Sequence, residues 1–580
     1  MRFGNLKIDP ARNPAVLDTV TWDRASVQEI LQVVPTDVWR IFWRTAREGV
    51  AQLPTERVCV HPSSCVRWKD SLFCLTALFD GQLLWLECGS GVGVDLLDVP
   101  VWSTALGNLP AEVVSAYAVD LAGTARFLAA AAPNRAPRAL GAVPRLGIGS
   151  RMTTASWPGV FRAMAERGFA SNAIQNSVRE ANVLEDILAG RPALLNYGPN
   201  LGVFASGHAG SSFEGLWLSG VLEALKAPGC PVYGADADHM QVKRDPAGLD
   251  RALRVLESVR HYTFYTMDVS DVLDYDALGA EPADAALLLD RVGGSRDRRA
   301  LLAFHREFGR RIGAAKPLDE VALGCYVGKY WDALQAMGTM TEHIRQLRDD
   351  QPFDLEFAVD ETPPGVTACD SITSTEELIF IIGECQRRGL PVTHVAPNFG
   401  IEKEVDYRCP DGLSGLGDRV RDQTQVARAC GLMVDYHSGD DLSKQTRQTI
   451  GRASEGYNQF KVSPYVQVLF AEVLDDVQPE LFRIWWDDTL DFARRDAAKG
   501  SPVAVDGLRT LQASDDSSPS ARQPVFRHYC FASVGRRDDQ GQYVHRETLY
   551  GELSRAFHQE YERRLVAYLT ELAGDLLEIA

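Results

Sequence analysis

Eight short β-like runs, separated by helix-like segments, constrain the fold of this chain more than any other feature. Parallel strands joined by crossover helices give this alternation. Eight such units close a parallel barrel, whereas an open doubly wound sheet usually has fewer strands and a phosphate-binding fingerprint after the first. We therefore predict an α/β fold with a (β/α)8 TIM-type barrel. The predicted strands are 145–149, 173–178, 231–235, 262–267, 353–359, 392–397, 432–436 and 460–462.

The chain has 580 residues, more than a simple barrel requires, and its sequence predicts two regions. Residues 1–139 combine helical and alternating segments and predict an N-terminal α+β cap, which ends in a stretch rich in Pro and Arg. Residues 140–580 are predicted to form the catalytic barrel and C-terminal helices. Insertions at about 195–229 and 274–351 exceed a plain crossover, and we expect them to form walls over the site.

Composition excludes several classes of partner. A net charge of -18 and the lack of a Lys/Arg cluster argue against nucleic-acid binding. No segment approaches about 18 uninterrupted apolar residues, so we expect no membrane partner and a soluble, cytoplasmic protein. The 11 cysteines are scattered without CxxC pairs and predict buried thiols in a reducing compartment. A small sugar or sugar acid is the expected partner, and the oligomeric state, a homo-oligomer included, stays open.

Polar side chains follow the predicted strands at their carboxyl ends, where barrel enzymes place their reacting groups. The clearest case is the apolar run that ends in Asp236, Asp238 and His239. Buried acids without partners are costly, so we expect these to bind a cation, a substrate hydroxyl or one another. Alternatively, an Asp here caps a helix. The other polar endings are Ser150-Arg151, Arg179-Glu180, Asp268, Asp360-Glu361, Asn398, His437-Ser438 and Lys461.

Two of these endings favour a metal site. His239 and His437 come from different strands and could share a divalent cation with an acid of the loop 401–407, where Glu402 and Asp406 are the candidates. No cysteine stands near them, which excludes a thiolate site, and Mn, Zn, Ni, Co and Fe all stay open. For His437 the alternative is a core histidine whose hydrogen bonds are satisfied.

Carboxylates at different strand ends favour proton transfer. Asp238 is the candidate base and Glu361 the opposing acid, with Glu356 as its rival, because a glutamate inside a barrel is costly unless it is used or paired. Cationic side chains could hold a sugar carboxylate, two of them in bidentate fashion. The predicted substrate-binding residues are Arg151, Arg179, Glu180, Asp236, Glu356, Asn398, Lys403 and Lys461.

Several of these stretches together resemble the tagaturonate epimerases, from about residue 140 to the C-terminal helices. The resemblance implies a metal-dependent barrel enzyme that interconverts tagaturonate and fructuronate, or the matching neutral ketohexoses. It also implies Asp238 as proton acceptor, His239 and His437 on the metal, and Glu361 as donor. Departures at Ser150 and after His437 leave the substrate open between a uronate and a neutral ketose. The matching stretches are Asn176–Glu180, Gly234–His239, Leu355–Thr362, Ala396–Phe399, Glu402-Lys403, Val405–Tyr407 and His437–Gly439.

The chemistry of this sugar pair limits the mechanism. The inverted carbon lies two bonds from the ketone, so enolisation beside the carbonyl cannot reach it. We hypothesise a retro-aldol route in which a carbon–carbon bond opens and re-forms. Two alternatives remain: another metal-dependent sugar isomerase or aldolase of the barrel class, and a non-catalytic sugar-binding homologue that keeps the fold.

Overall fold

A computed structural model describes the chain except for residues 14, 49–50, 108–111, 194, 199–201, 230, 315, 363–365, 402–404, 438–441, 514–517 and 579–580. Its first elements are β1 (Arg2–Phe3), β2 (Leu6–Lys7), α1 (Arg24–Gln32), α2 (Thr36–Arg47), β3 (Val58–Val60), β4 (Val66–Trp68), β5 (Ser71–Leu78), β6 (Leu83–Gly89), α3 (Val94–Leu97), β7 (Trp102–Ala105), β8 (Val113–Ala118) and α4 (Leu121–Ala131).

The central part of the chain alternates strands and helices. It comprises β9 (Arg145–Gly149), α5 (Trp157–Arg167), β10 (Ala170–Ser177), β11 (Ala181–Asn182), α6 (Leu184–Ala189), β12 (Leu195–Gly198), β13 (Gly202–Ala205), β14 (Ser211–Ser212), α7 (Phe213–Lys226), β15 (Tyr233–Gln241), α8 (Gly248–Ser258), β16 (Phe264–Asp268), α9 (Pro282–Leu288), α10 (Ser295–Ile312), α11 (Glu320–Leu347), β17 (Asp354–Ala358), α12 (Thr375–Arg387) and β18 (His394–Ala396).

The C-terminal part completes the alternation and ends in helices. It comprises α13 (Gly412–Ala429), β19 (Met433–Tyr436), α14 (Lys444–Ser454), β20 (Asn458–Val462), α15 (Pro464–Val477), α16 (Pro479–Ala498), α17 (Pro502–Ala513), α18 (Pro524–Gly535), α19 (Arg546–Gly551) and α20 (Arg555–Leu576).

Strands β9, β10 and β15–β20 form a closed barrel in which each strand pairs with its neighbours in parallel and β20 returns to β9. This confirms the predicted barrel, and each strand overlaps one of the eight predicted runs. Strand β15 extends further than expected, so Asp236, Asp238 and His239 lie within it. Its pairing with β16 shifts register between Ala237 and Met240, and His239 there has a positive φ of 50°.

The N-terminal region packs a largely antiparallel sheet against the barrel. Its strands follow the order β3-β5-β6-β8-β7, with β4 beside β5. Because side chains alternate along a strand, Leu84 and Leu86 of β6 join the core formed with Trp39 and Phe42 of α2, while Trp85 joins the main core. The sheet therefore separates two apolar layers.

Helices form the outer layer of the barrel. Helix α11, in the second predicted insertion, contacts α8 and α12 of this layer. Among the described residues, none in 274–351 lines the large cavity over the barrel mouth, whereas Ala205–His208 of the first insertion do. The expectation of a wall therefore fails for the second insertion. None of the helices in the described part of the chain combines the length and apolar character needed to span a membrane.

A disulfide joins Cys369 and Cys409, with Cα atoms 5.5 Å apart. The prediction that all cysteines are buried free thiols is therefore wrong for this pair, and also for Cys59, which is an exposed free thiol. The two half-cystines lie 40 residues apart on the loops that follow β17 and β18. Neighbouring barrel strands bring these loops together, and that proximity could not be found from cysteine spacing alone.

Candidate active site

A cavity of about 820 Å³ lies between the carboxyl ends of the barrel strands and the C-terminal helices. Its barrel side includes Asp238, His239, His437 and Lys461, which come from β15, β20 and the residue after β19. The other side consists of residues of α16–α18 and of the loops that follow α16 and α18. The size suits a small-molecule site, for which volumes of roughly 300–1,000 Å³ are usual.

Lys461 is the centre of an acidic cluster inside the barrel. Its Nζ lies 2.8 Å from Asp238 Oδ1 and 2.5 Å from Thr266 Oγ1. Alternation along each strand directs these side chains inward, where branched apolar residues usually fill a barrel. Three further carboxylates lie 3.4–3.6 Å from the ammonium, those of Asp236, Glu356 and Asp435. Lys461 is therefore surrounded by the protein's own acids and does not present a free ammonium to a sugar carboxylate.

The charged groups in this cluster shift one another's pKa values. Burial lowers the pKa of Lys461, but Asp236 and the neighbouring acids raise it well above its ordinary value. Burial raises the pKa of Asp238, yet Lys461 and His239 bring it below its usual range, so this carboxylate is ionised at neutral pH. Burial dominates at Asp236 and raises its pKa to about 7. Asp236 and Asp238, two residues apart on β15, thus have pKa values shifted in opposite directions, as in paired catalytic acids and bases.

Each of the two histidines contacts a carboxylate through one ring nitrogen. His239 Nδ1 lies 3.2 Å from Asp268 Oδ2, and His437 Nε2 lies 2.9 Å from Glu356 Oε1. When these nitrogens donate their protons to the carboxylates, His239 Nε2 and His437 Nδ1 keep lone pairs. The rings meet edge to face, with centroids 4.8 Å apart. Carboxylates behind metal-bound histidines fix the tautomer in the same way.

Asp360 completes a group that could hold a metal ion. Ligand atoms of His239, Asp360 and His437 all lie within 4.8 Å of one another. His437 Nδ1 and Asp360 Oδ2 are 2.8 Å apart, a distance that suits an ion pair of a protonated ring with the carboxylate and also two ligands of one cation. Ligand atoms that converge in this way fit a shared cation. Nitrogen and carboxylate oxygen donors are the ligands that Zn²⁺ and related ions accept.

The electrostatics of this group favour a positive charge. Burial lowers the pKa of His437, but Asp360 and Glu356 raise it well above its ordinary value. A second group, Glu356, Asp435 and His437, also has ligand spacing. The Lys461 ammonium lies 3.5 Å from Glu356 and 3.6 Å from Asp435, so a cation already serves that group. The first group is therefore the better candidate metal centre.

Glu361 and buried Arg179 form an ion pair beside the histidines. Arg179 Nη2 lies 2.8 Å from Glu361 Oε1 and 3.8 Å from Asp268 Oδ2, and Glu361 Oε1 lies 3.8 Å from His239 Nε2. The predicted acid Glu361 is thus close to the candidate centre. The guanidinium of Arg179 is neutralised by these acids, so it is less available for a substrate carboxylate than the sequence suggested.

Arg151 and Glu180, two of the predicted substrate-binding residues, line the cavity. Arg151 Nη1 lies 3.2 Å from Glu180 Oε1, and its guanidinium lies over the ring of Phe531. Its φ of 47° is uncommon for a residue with a side chain and directs the chain sharply after β9. A bidentate donor that faces the cavity with one carboxylate partner is suited to bind an anionic group.

Two predicted site residues lie elsewhere. Asp406 Oδ1 accepts hydrogen bonds from the Ser443 N–H at 3.0 Å and the Thr446 hydroxyl at 2.7 Å, at the start of α14, and it does not belong to the metal-ligand groups. Asn398 Nδ2 donates to the carbonyls of Ala368 and Ser371 and braces two loops. Glu402 and Lys403 lie outside the described residues.

Sequence reasoning did not assign several residues of the cluster. Asp360, a candidate ligand, directly precedes the predicted acid Glu361 and was among the polar strand endings, but no role was assigned to it from the sequence. Asp268 also ends a strand. Asp435 and Thr266 lie inside strands, and only their alternation with His437 and Asp268 gives a signal that they face inward.

The closed parallel barrel with an acid and histidine cluster at its mouth defines this chain as a barrel enzyme. The sequence model of UxaE, described as tagaturonate epimerase, matches residues 228–570, more than half of the chain. The chain therefore belongs to the tagaturonate epimerase family, whose members are carbohydrate epimerases of the isomerase class. A search of curated proteins finds no match.

Solved structures support the same fold. The native fructuronate-tagaturonate epimerase UxaE from Cohnella laeviribosi is similar with a TM-score of 0.64 and 18% identity, over 94% of this chain and 100% of that chain. The form with two glycerol molecules gives a TM-score of 0.65 and 18% identity, over 93% and 99%. At this identity the likeness shows the fold, so the roles of individual residues must come from the geometry above.

Proposed function

We propose that this protein interconverts tagaturonate and fructuronate at the mouth of its barrel, with a divalent cation held by His239, Asp360 and His437. The family supports the reaction. The convergence of ligand atoms of His239, Asp360 and His437, all within 4.8 Å of one another, is the observation that carries the cation. The sequence favoured Glu402 or Asp406 as the third ligand, and Asp360 replaces both in this proposal.

The chain's own residues prepare the first proton transfer. Asp238 is ionised, faces the cavity and is oriented by the 2.8 Å contact with Lys461. It accepts the proton of the hydroxyl on the carbon that inverts. A divalent ion at the neighbouring centre would make that hydroxyl more acidic and stabilise the negative charge that develops on the ketone side.

The remaining steps break and re-form one carbon–carbon bond and need no oxidant. As Asp238 takes the hydroxyl proton, the bond between the inverting carbon and its neighbour on the ketone side breaks, and its electron pair forms an enediolate. The other fragment becomes an aldehyde. The aldehyde rotates and presents its opposite face, the same bond re-forms, and Asp238 returns the proton to the new alkoxide. The hydrogen on the inverting carbon stays in place throughout.

Arg151 is our candidate for the substrate carboxylate. The sequence offered four cations, but Lys461 and Arg179 are neutralised by buried acids and Lys403 lies outside the described residues. Arg151 lines the cavity and pairs with Glu180 at 3.2 Å. A carboxylate could share its donor face, since a guanidinium offers five N–H groups.

Nuclear magnetic resonance in D₂O tests this proposal. Purified protein supplied with Mn²⁺ should convert tagaturonate to fructuronate, and the product should carry no deuterium on the inverted carbon. No conversion with any of Mn, Zn, Ni, Co or Fe would reject the function. Conversion with deuterium on that carbon would keep the function but reject the retro-aldol route.

A further inference from the structure

The charge of the cavity is opposite to that of the protein. The chain has a net charge of -18. Among the described residues that line the cavity, seven are Lys or Arg and three are Asp or Glu. This excess of positive charge is local to the cavity over the barrel mouth.

The inner cations of the cavity are already paired. Arg179 contacts Glu361, Lys461 contacts Asp238, and Arg151 contacts Glu180. They hold the geometry of the site and contribute little net charge. The surplus therefore lies on the other side of the cavity, on the C-terminal helices.

Two of the outer cations form no ion pair with the carboxylates that the structure describes. Lys499 caps the end of α16 and is exposed, and Arg537 is half-buried in the loop after α18. Neither forms an ion pair with a described carboxylate, although both line the cavity. Asp496, an acid on that wall, accepts a hydrogen bond from the Tyr529 hydroxyl at 2.7 Å. Arg527 lines the same wall.

An anion that approaches a protein with a large negative charge is repelled at distances up to about a Debye length, roughly 10 Å at 0.1 M salt. A cleft lined with positive charge removes this penalty locally and raises the concentration of the anion at the entrance. A neutral sugar gains nothing from such a lining. The cation surplus is therefore a means of selecting charged substrates.

We propose that Lys499 and Arg537 form a cationic entrance that attracts sugar acids and favours hexuronates over neutral ketohexoses. This inference rests on the proposed function and adds residues outside the barrel that select its charged substrates. The entrance acts before the chemistry, so it lowers KM for the anion and leaves kcat unchanged, as uniform binding does.

The double variant Lys499→Gln/Arg537→Gln tests the entrance. At about 20 mM ionic strength we expect kcat/KM for tagaturonate to fall about threefold to tenfold with kcat unchanged, and salt at about 300 mM should remove most of the difference. The matching neutral ketohexose should show no change. A control of equal charge, Arg44→Gln/Lys316→Gln, alters two exposed cations that do not line the cavity and should behave as wild type.

Calorimetric titration with tagaturonate separates the two proposals. If the wild-type protein turns over no substrate, the proposed function fails, and the entrance is judged by binding alone, where the double variant should weaken tagaturonate by the same factor. Binding and kcat/KM equal to those of the control variant would overturn the entrance. An equal loss for the neutral ketohexose would overturn it as well.

Discussion

The two ends of the barrel both bury a cation beside carboxylates, but they balance the charge differently. At the amino end, fully buried Arg145 lies 3.2 Å from Asp354, and both oxygens of Asp354 accept hydrogen bonds from the backbone of Leu140 and Gly141. At the carboxyl end, four carboxylates surround the single ammonium of Lys461. There, Asp236 and Glu356 each keep one oxygen without a hydrogen-bond partner among the described residues.

This difference in charge balance indicates that the amino end serves stability and the carboxyl end serves chemistry. A buried pair with every oxygen satisfied fixes the strand ends and offers nothing to a ligand. A cluster with surplus acid is costly in the free protein, because each unpaired charge is desolvated. Such a cluster is expected at a site where a bound cation or substrate neutralises the surplus acids. The stability of the fold therefore depends on the amino end, and function depends on the carboxyl end.

Removal of the proposed base should have the largest effect on activity. We expect Asp238→Asn to lower kcat for tagaturonate by about 10²–10⁴-fold, because general base catalysis is lost while the side chain keeps its shape. The melting temperature should stay near that of wild type. A variant with more than a tenth of wild-type kcat would contradict the role of Asp238.

Removal of an acid at the amino end should give the opposite pattern. We expect Asp354→Ala to lower the free energy of unfolding by about 3–5 kcal/mol, since Arg145 is left buried without its partner. Urea denaturation measures this, and kcat of the folded protein should be retained. The surface variant Asp418→Ala, which breaks an exposed pair with Arg421, should leave stability almost unchanged. Equal losses of stability in Asp354→Ala and Asp418→Ala would contradict a stabilising role of the amino end.

Metal affinity should distinguish the carboxylates near the mouth. We expect Asp360→Asn to weaken binding of Mn²⁺ or Zn²⁺ by at least about tenfold, and Asp268→Asn by about 10–100-fold through the orientation of His239. Asp406→Asn should bind as wild type, because that carboxylate accepts hydrogen bonds from Ser443 and Thr446 at the start of α14. Competition titration with a chelator reports these affinities. Loss at Asp406 and not at Asp360 would restore the ligand set expected from the sequence.

The smallest effect concerns the pH dependence of stability. Burial raises the pKa of Asp236 to about 7, above its value in the unfolded chain. Between about pH 4 and pH 7 the folded state therefore binds more protons, so this group makes stability fall as pH rises, and its cost is complete above about pH 7. We expect Asp236→Asn to gain more stability relative to wild type at about pH 8 than at about pH 5. A pH-independent difference in melting temperature would contradict this shift.

Much of the fold could be predicted because the barrel repeats one pattern. Each strand is a short apolar run between helical segments, and the eight runs suffice to predict closure. The disulfide between Cys369 and Cys409 could not be predicted, because it depends on the proximity of two loops. The extension of β15 was also missed. Asp236, Asp238 and His239 make its sequence polar, and such a stretch is recognised as a buried strand only once the barrel interior is known to be polar.

The site was predicted in part. His239, His437 and Asp238 stood at strand ends and lie together at one cavity. The third ligand could not be chosen from spacing, because every strand end offers an acid and only the rotation of each loop decides which one faces inward. The same is true of Lys461, whose four carboxylates come from three other strands. The cations of the entrance belong to C-terminal helices that no motif linked to the barrel.

The most direct test of the cation centre is an anomalous difference map from crystals soaked with Mn²⁺ and tagaturonate. We expect one peak roughly 2.0–2.3 Å from a ring nitrogen of His239, a ring nitrogen of His437 and an oxygen of Asp360. The sugar should lie beside it with a hydroxyl near Asp238. A peak elsewhere, or sugar bound at the mouth without metal at these three residues, would contradict the proposed centre.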